Sequence, residues 1–114
     1  MRPSALPGMA GLLLISLAGS CWAGSADADP EQLERGKTLF MSEAVPACSV
    51  CHALSDAGAE GTIGPDLDEL KPDAERIKKA LQEGIGVMPS FADSLDDESM
   101  DAITAYILHA TGAQ

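Results

Sequence analysis

This chain of 114 residues has few large side chains, few cysteines and few basic groups. Aromatic residues make up 4% of it, so few large side chains are available to fill a hydrophobic core. Seven Lys and Arg stand against eighteen Asp and Glu, a formal net charge of −11 that disfavours binding to nucleic acid or anionic lipid. Its apolar runs are shorter than the roughly 20 residues that cross a bilayer, so we expect no stable membrane insertion.

The first 23 residues predict an export signal. Arg2 precedes an apolar stretch at 9–18, and residues 21–23 end in alanine, a small residue of the kind found before a cleavage site. We therefore expect residues 1–23 to be a cleaved Sec-type signal peptide and the mature protein to be periplasmic. Two alternatives stay open, namely a lipoprotein signal that places lipid on Cys21 and an uncleaved membrane anchor.

Cleavage after residue 23 would change the composition and the net charge of the mature chain. It removes the only tryptophan and one of three cysteines, and leaves six Lys and Arg against eighteen Asp and Glu, a formal charge of −12. We expect a flexible stretch at 24–28 and one small domain over 29–114. An acidic domain of this kind favours redox protein partners with a basic docking patch.

The two remaining cysteines belong to the run Cys-Ser-Val-Cys-His at 48–52. Cys-x-x-Cys-His is the pattern by which a c-type haem is attached, since each thiol can form a thioether with one vinyl group and the imidazole then faces the iron. Cys48 and Cys51 would be the anchors and His52 the proximal ligand. A redox disulfide and half of a zinc site also use this spacing. The redox disulfide is disfavoured because it belongs to a βαβ context and the sequence shows no convincing strand. The zinc site is disfavoured because it needs about four ligands and His109 is the one other Cys or His after the predicted signal peptide.

Local signals predict an all-α chain with three main helices. Asp29 is suited to cap a first helix, Pro30 suits its first position, and the helix should end before Pro46. A loop from about 55 to 68 should follow, because its glycines at positions 58, 61 and 64 deny any regular element.

Two further helices complete the prediction. One starts near Asp73 and stops at Gly84. The last takes Ser94 as its cap, with Asp97 three residues on in an arrangement that resembles a capping box. Helical spacing predicts that apolar residues of these helices face inward, namely Ile77, Ala80, Leu81, Ile103, Tyr106, Ile107 and Ala110.

This order of elements resembles the class I cytochromes c over essentially the whole mature chain. The haem motif lies just after an N-terminal helix. Gly36 and Phe40 match the glycine and aromatic through which that helix crosses the C-terminal one, and Tyr106 matches the aromatic opposite. The resemblance implies the class I cytochrome c fold, in which the helices wrap around one covalent haem c.

The run Gly-Pro-Asp-Leu at 64–67 resembles the family's Gly-Pro-x-Leu segment. In the family, its proline carbonyl accepts a hydrogen bond from the second nitrogen of the haem-ligating imidazole. The resemblance implies that Pro65 is this partner of His52, a contact that fixes the tautomer and orientation of the ring. Leu67 is then one candidate for the haem wall, together with Ile63, Leu70, Val87 and Phe91.

Met88 is the favoured sixth ligand. It lies 36 residues after the proximal histidine, in a loop at 84–91 where glycines permit close backbone approach and a proline follows the methionine. The loop resembles the family's Met-Pro ligand loop. Met41 and Met100 are more simply interpreted as core or gap-filling residues. Ligation by His109 and an open axial site remain as alternatives, and four side chains are equally plausible partners for the haem propionates: Lys71, Arg76, Lys78 and Lys79.

Filled axial positions leave no coordination site for oxygen or peroxide, so one-electron transfer is the expected function. We predict a periplasmic single-electron carrier that is not itself an enzyme. A first alternative is the haem c subunit of a periplasmic dehydrogenase complex. The run 61–73 and the Gly-Val-Met-Pro loop are similar to the small cytochrome subunits of sulfite dehydrogenases. A haem enzyme or gas sensor with an open axial site is the second alternative.

Overall fold

A computed structural model describes Ser4 and residues 28–113 of the chain. Apart from Ser4, the predicted signal peptide at 1–23 lies outside the described residues, as do Cys21 and most of the stretch predicted to be flexible. Residues 28–113 are mostly helical, as predicted. Their elements are α1 (Pro30–Thr38), a π-helical turn (Leu39–Glu43), α2 (Cys48–Cys51), β1 (His52–Leu54), a 3-10 turn (Ser55–Ala57), β2 (Ala59–Thr62), α3 (Leu67–Leu70), α4 (Ala74–Glu83) and α5 (Asp97–Thr111).

The first helix begins as predicted. The side chain of Asp29 accepts a hydrogen bond of 3.0 Å from the backbone N–H of Glu31, and Pro30 occupies the first turn. Beyond Thr38 the helix widens into the π-helical turn, which carries the buried side chains of Leu39 and Phe40. Helical structure ends at residue 43, before Pro46, as the sequence indicates.

α1 and α5 cross at Gly36, as expected. A Cβ at this position would overlap the carbonyl oxygen of Ala102 and stand 2.6 Å from Cβ of Tyr106. The missing side chain therefore permits the close approach of the two helices. Beside the crossing, the rings of Phe40 and Tyr106 meet edge to face, with centroids 5.9 Å apart and an interplanar angle of 64°.

The expectation that no strand occurs, and that residues 55–68 lack regular structure, is wrong. β1 and β2 form an antiparallel hairpin in which His52 pairs with Thr62 and Leu54 pairs with Ala59. Gly58 adopts φ +61° after the 3-10 turn, so this glycine does not interrupt regular structure but supplies the left-handed residue that closes the hairpin. The strands have three and four residues, too short for an alternating pattern to show.

The bounds of α4 are confirmed. The side chain of Asp73 accepts a hydrogen bond of 2.8 Å from the N–H of Arg76, and Gly84 ends the helix with φ +71°. α5 and α4 pack against each other, and together with α1 they enclose the core.

The predicted cap of α5 is wrong. The cap is Asp96, whose carboxylate accepts a hydrogen bond of 2.8 Å from the N–H of Ser99. Ser94 lies instead in a preceding turn, where its N–H and that of Leu95 are bonded to the carbonyl of Phe91 and its hydroxyl donates to the same carbonyl at 3.4 Å. The helix therefore starts two residues later than a cap at Ser94 would require.

Most of the inner face predicted for α5 is buried. Ile103, Tyr106 and Ile107 are each less than 7% exposed, whereas Ala110 is half-buried. Among the helices of residues 28–113, none combines the length and the apolar character needed to cross a membrane.

Candidate haem-binding site

An apolar cleft of about 360 Å³ lies between the helices, beside the Cys-x-x-Cys-His motif. Its volume is within the range of about 300 to 1,000 Å³ that is usual for small-molecule and cofactor sites. The walls come from the π-helical turn, α3, α4, α5 and the loop after α4. The apolar lining includes Phe40, Leu67, Leu70, Ile77, Ile103 and Ile107.

α2 presents the two cysteines to this region. Both thiols are free and half-buried, and because they are three residues apart on a helical turn they lie on one face. Cys48 lines the cleft. Burial raises the pKa of its thiol to about 11, so the thiol is protonated at neutral pH. The cleft therefore does not favour the thiolate form of Cys48.

The imidazole of His52 is held on one edge and on one face. Its Nδ1–H donates a hydrogen bond of 2.8 Å to the carbonyl of Pro65, the contact that the family resemblance implies. A carbonyl can only accept, so the proton lies on Nδ1 and Nε2 keeps its lone pair free for a metal. The backbone of Gly64 covers the ring face, and the N–H of Gly64 is bonded at 2.7 Å to the carbonyl of Cys51.

Met88 lines the same cleft as His52 and is half-buried. The loop that carries it is closed by two hydrogen bonds, from the N–H of Ile85 to the carbonyl of Met88 at 3.0 Å and from the N–H of Met88 to the carbonyl of Ile85 at 2.9 Å. Gly86 takes φ +57° at the tip, which only a glycine adopts without cost. This tight turn fixes the backbone from which the Met88 side chain reaches the lining of the cleft.

The competing ligands lie elsewhere. Met41 is 39% exposed and Met100 is 5% exposed in the core, and neither lines the cleft. His109 is exposed near the end of α5. Of the predicted iron ligands, the structure brings together His52 and Met88.

Two of the five residues predicted for the haem wall line the cleft. Leu67 and Leu70 line the cleft, but Ile63 and Val87 are 65% and 85% exposed, and Phe91 is buried in the core outside the cleft. Val87 is exposed because it lies at the tip of the turn that the hydrogen bonds between Ile85 and Met88 close. Half of the residues that line the cleft come from α4, α5 and the π-helical turn. Helical periodicity predicts that Ile77, Ile103 and Ile107 face inward, but it does not indicate that they line the cleft.

A polar cluster that the sequence did not reveal holds the hairpin against the crossing helices. The hydroxyl of Tyr106 donates a hydrogen bond of 2.6 Å to Asp56, and the ammonium of Lys37 lies 3.4 Å from the same carboxylate oxygen. The hydrogen bond from Tyr106, and then the charge of Lys37, lower the pKa of Asp56. Burial and the nearby Asp56 raise the pKa of Tyr106. The turn after β1 is therefore tied to α1 and α5.

These residues fit a covalently attached haem. Two thiols share one face of a helical turn, an imidazole with an available Nε2 follows directly, and a thioether enters the same apolar cleft. A soft thioether and a neutral imidazole are a recognised axial pair for haem iron. The surrounding aliphatic side chains supply the dry environment that such a cofactor needs.

Comparisons with known proteins point the same way. A family model described as cytochrome C oxidase, cbb3-type, subunit III matches residues 31–107. Cytochrome c-551 from Halorhodospira halochloris is 30% identical over 74 residues, which cover 64% of this chain and 94% of that protein. Quinohemoprotein alcohol dehydrogenase ADH IIB from Pseudomonas putida is 34% identical over 86 residues, which cover 71% of this chain and 11% of the enzyme. The crystal structure of the c-type cytochrome SorU from Sinorhizobium meliloti is similar with a TM-score of 0.70 and 43% identity, covering 74% of this chain and 95% of that one.

Proposed function

This chain belongs to the class I cytochromes c and is a monohaem electron-transfer protein, and from that premise we propose that it is a periplasmic single-electron carrier with His52 and Met88 as axial ligands. The observation that carries the proposal is the placement of an oriented imidazole and a thioether in one apolar cleft. Haem c, when bound, supplies the one-electron couple of its iron.

Cys48 and Cys51 hold the cofactor by thioether bonds in this proposal. Each bond forms by addition of the thiol S–H across a vinyl group of the haem, so nothing leaves. The pair lies on one face of α2, and His52 follows without an intervening residue, so attachment and ligation come from one short segment. Covalent attachment keeps the cofactor in a small protein that has few aromatic side chains for its core.

The two proposed axial residues and their surroundings shift the reduction potential of the haem iron. The hydrogen bond from Nδ1 of His52 to Pro65 fixes the tautomer and raises the donor strength of Nε2. The thioether of Met88 is a soft ligand that favours ferrous iron and raises the potential. Burial among aliphatic side chains acts in the same direction, because it disfavours the additional positive charge of the ferric state.

A periplasmic location is supported by the signal-like composition of residues 1–23 and by the haem motif itself. The partners are proposed to be redox proteins that present a basic docking patch. That expectation follows from the excess of carboxylates over Lys and Arg, which steers a positively charged surface toward this protein and repels nucleic acid.

A second candidate is the haem c subunit of a periplasmic dehydrogenase complex. One observation favours it specifically: a domain similar to this chain forms 11% of a quinohaemoprotein alcohol dehydrogenase. The resemblance of residues 61–73 to small cytochrome subunits of sulfite dehydrogenases supports the same alternative. Purification of the native protein separates the two, since a carrier elutes near the mass of one domain and a subunit elutes with its enzyme.

Replacement of the proposed axial methionine tests the principal proposal. In the mature holoprotein, Met88→Ala should remove the low-spin, six-coordinate ferric spectrum, lower the reduction potential and speed the binding of cyanide. Met41→Ala is the matched control, because Met41 is partly exposed and does not line the cleft. An unchanged spectrum and potential in Met88→Ala would show that another group ligates the iron. Release of the haem by acidified organic solvent would contradict covalent attachment through Cys48 and Cys51.

A further inference from the structure

Two cationic side chains line the mouth of the apolar cleft. Residues 28–113 contain six Lys and Arg, and of these only Arg76 and Lys79 contribute to its lining. Both project from α4, three residues apart, and therefore lie on the same side of that helix. Their heads are exposed at the rim, whereas Ile77 and Leu81 of the same helix are buried within.

The other cations have partners or lie away from the cleft. Lys78 is held 2.7 Å from Asp101, and Lys37 lies 3.4 Å from Asp56. Lys71, which follows α3, does not line the cleft. Arg35 donates a hydrogen bond of 2.9 Å to the side chain of Ser99.

In contrast, Arg76 and Lys79 form no ion pair with any carboxylate of the described chain. Cations left without an acidic partner are notable here, because carboxylates outnumber Lys and Arg by eighteen to seven. Within residues 28–113, Glu83 is the one carboxylate that lines the same cleft, and it is exposed near the end of α4. The remaining titratable groups of the lining are Cys48 and His52, on the segment that carries the haem motif.

Haem c brings two carboxylates of its own, the propionates. Placing ionised carboxylates beside an apolar wall of a strongly acidic protein is costly unless cations stand next to them. The guanidinium of Arg76 can form two parallel hydrogen bonds to one carboxylate, and the ammonium of Lys79 can act as a point charge for the other. We propose that Arg76 and Lys79 bind the propionates of the haem, an inference that rests on the proposed function.

This assignment gives the two residues a role in setting the redox properties. Positive charges at the propionates keep them ionised at neutral pH and also disfavour the additional charge of ferric iron, so the pair raises the reduction potential and keeps it constant with pH. Loss of one cation should raise the pKa of its propionate by about one unit or more, since an adjacent opposite charge commonly lowers a carboxyl pKa by about 1 to 3 units. The potential of such a variant then falls with increasing pH across the raised pKa of that propionate.

The experiment compares mature holoprotein variants by potentiometry and by proton NMR of the haem methyl groups, both as a function of pH. Arg76→Gln and Lys79→Gln should each lower the potential at pH 7 and move the titration of the haem methyl resonances upward by about one pH unit. The double variant should do both to a greater extent. Arg76→Lys keeps the charge and should restore most of the shift. Lys78→Gln is the matched control, since it removes the same charge from the same helix at a residue paired with Asp101.

Two results overturn the assignment. If Arg76→Gln and Lys79→Gln titrate as the wild type does, the propionates are bound elsewhere. If Lys78→Gln gives the same shift as they do, the effect is one of total charge and not of contact. In both cases the wild type still shows covalent haem and a low-spin spectrum. Failure of the proposed function looks different, because the wild type itself then lacks those two properties.

Discussion

The backbone of Gly64 lies against the imidazole ring of His52. A Cβ at position 64 would stand 2.5 Å from Cε1 and 2.8 Å from Nδ1 of that ring, closer than side-chain carbons approach other atoms. The next residue, Pro65, accepts the hydrogen bond from Nδ1. One dipeptide therefore covers the face of the ring and sets its tautomer, and together these contacts hold the proposed axial ligand in position.

Gly64→Ala should disturb this arrangement. The added methyl group must displace either the ring or the segment that carries Pro65, and overpacking of this kind commonly costs about 1 to 3 kcal/mol. We expect a lower free energy of unfolding of the holoprotein and a higher reduction potential, because lengthening the hydrogen bond weakens the imidazole donor and so stabilises ferric iron less. Denaturant unfolding and potentiometry of the ferric and ferrous forms measure the two effects.

Gly58→Ala is the control for this substitution. Gly58 has φ +61° but open space around it, so an added methyl group strains the backbone without touching His52. The variant should lose stability and keep the wild-type potential. Equal potentials for both variants would mean that the contact between Gly64 and His52 does not control the iron.

Stability at low pH should depend on Asp56. Because the hydrogen bond from Tyr106 and the charge of Lys37 lower its pKa in the folded protein, this carboxylate stabilises the fold above its ordinary pKa of 3.8. That stabilisation is lost as the pH falls through the lowered value. Unfolding of the wild-type holoprotein measured at pH 7 and pH 3 should therefore show a decrease that is smaller in Asp56→Asn. Glu75→Gln, at an exposed position on α4, should keep the wild-type decrease.

The same contact predicts an effect at high pH. The pKa of Tyr106 is raised from its ordinary value of 10, so the neutral phenol stabilises the fold below pH 10 and this contribution is lost as the pH rises beyond it. Tyr106→Phe should abolish that alkaline loss while lowering stability at pH 7, since Asp56 then lacks its donor. A Tyr106→Phe variant with the wild-type profile at both ends would show that the hydrogen bond has no energetic role.

Sequence signals predicted those features that depend on neighbouring residues. Asp29 with Pro30 marks the start of α1, and Asp73 with Gly84 marks both ends of α4, because caps and left-handed glycines act within a few residues. The hairpin was missed since its strands are short and their pairing depends on distant backbone contacts. The cleft wall required tertiary information, because an inward-facing residue such as Phe91 can pack in the core without lining the cleft.

The N-terminal cap of α5 can be tested directly, because the structure assigns it to Asp96 and the sequence predicts Ser94. Asp96 accepts the hydrogen bond from the N–H of Ser99, whereas Ser94 contacts only the carbonyl of Phe91 in the preceding turn. Asp96→Ala should lower the thermal unfolding midpoint of the holoprotein more than Ser94→Ala does. Asp96→Asn, which keeps an acceptor oxygen, should recover most of the difference. The reverse order of the two alanine variants would favour Ser94 as the cap.

The crossing of α1 and α5 connects helix packing to the iron. Alanine is favoured over glycine in a helix by about 1 kcal/mol, so Gly36→Ala would be stabilising if propensity decided the outcome. The added carbon, however, meets the backbone carbonyl of Ala102 and Cβ of Tyr106, neither of which can rotate away. Overpacking costs of about 1 to 3 kcal/mol exceed the gain, and we therefore expect a net loss of stability.

This substitution should also loosen the cleft. Phe40, which packs against Tyr106 beside the crossing, and Ile103 of α5 both line the cofactor site, so separation of the helices moves two parts of its wall. We expect Gly36→Ala to bind cyanide faster than the wild type, because a displaced wall weakens the hold on Met88. Glu34→Ala, an exposed position on the same helix, should change neither stability nor cyanide binding by a comparable amount. A stabilised Gly36→Ala protein with wild-type cyanide kinetics would show that the helices can separate there without cost to the site.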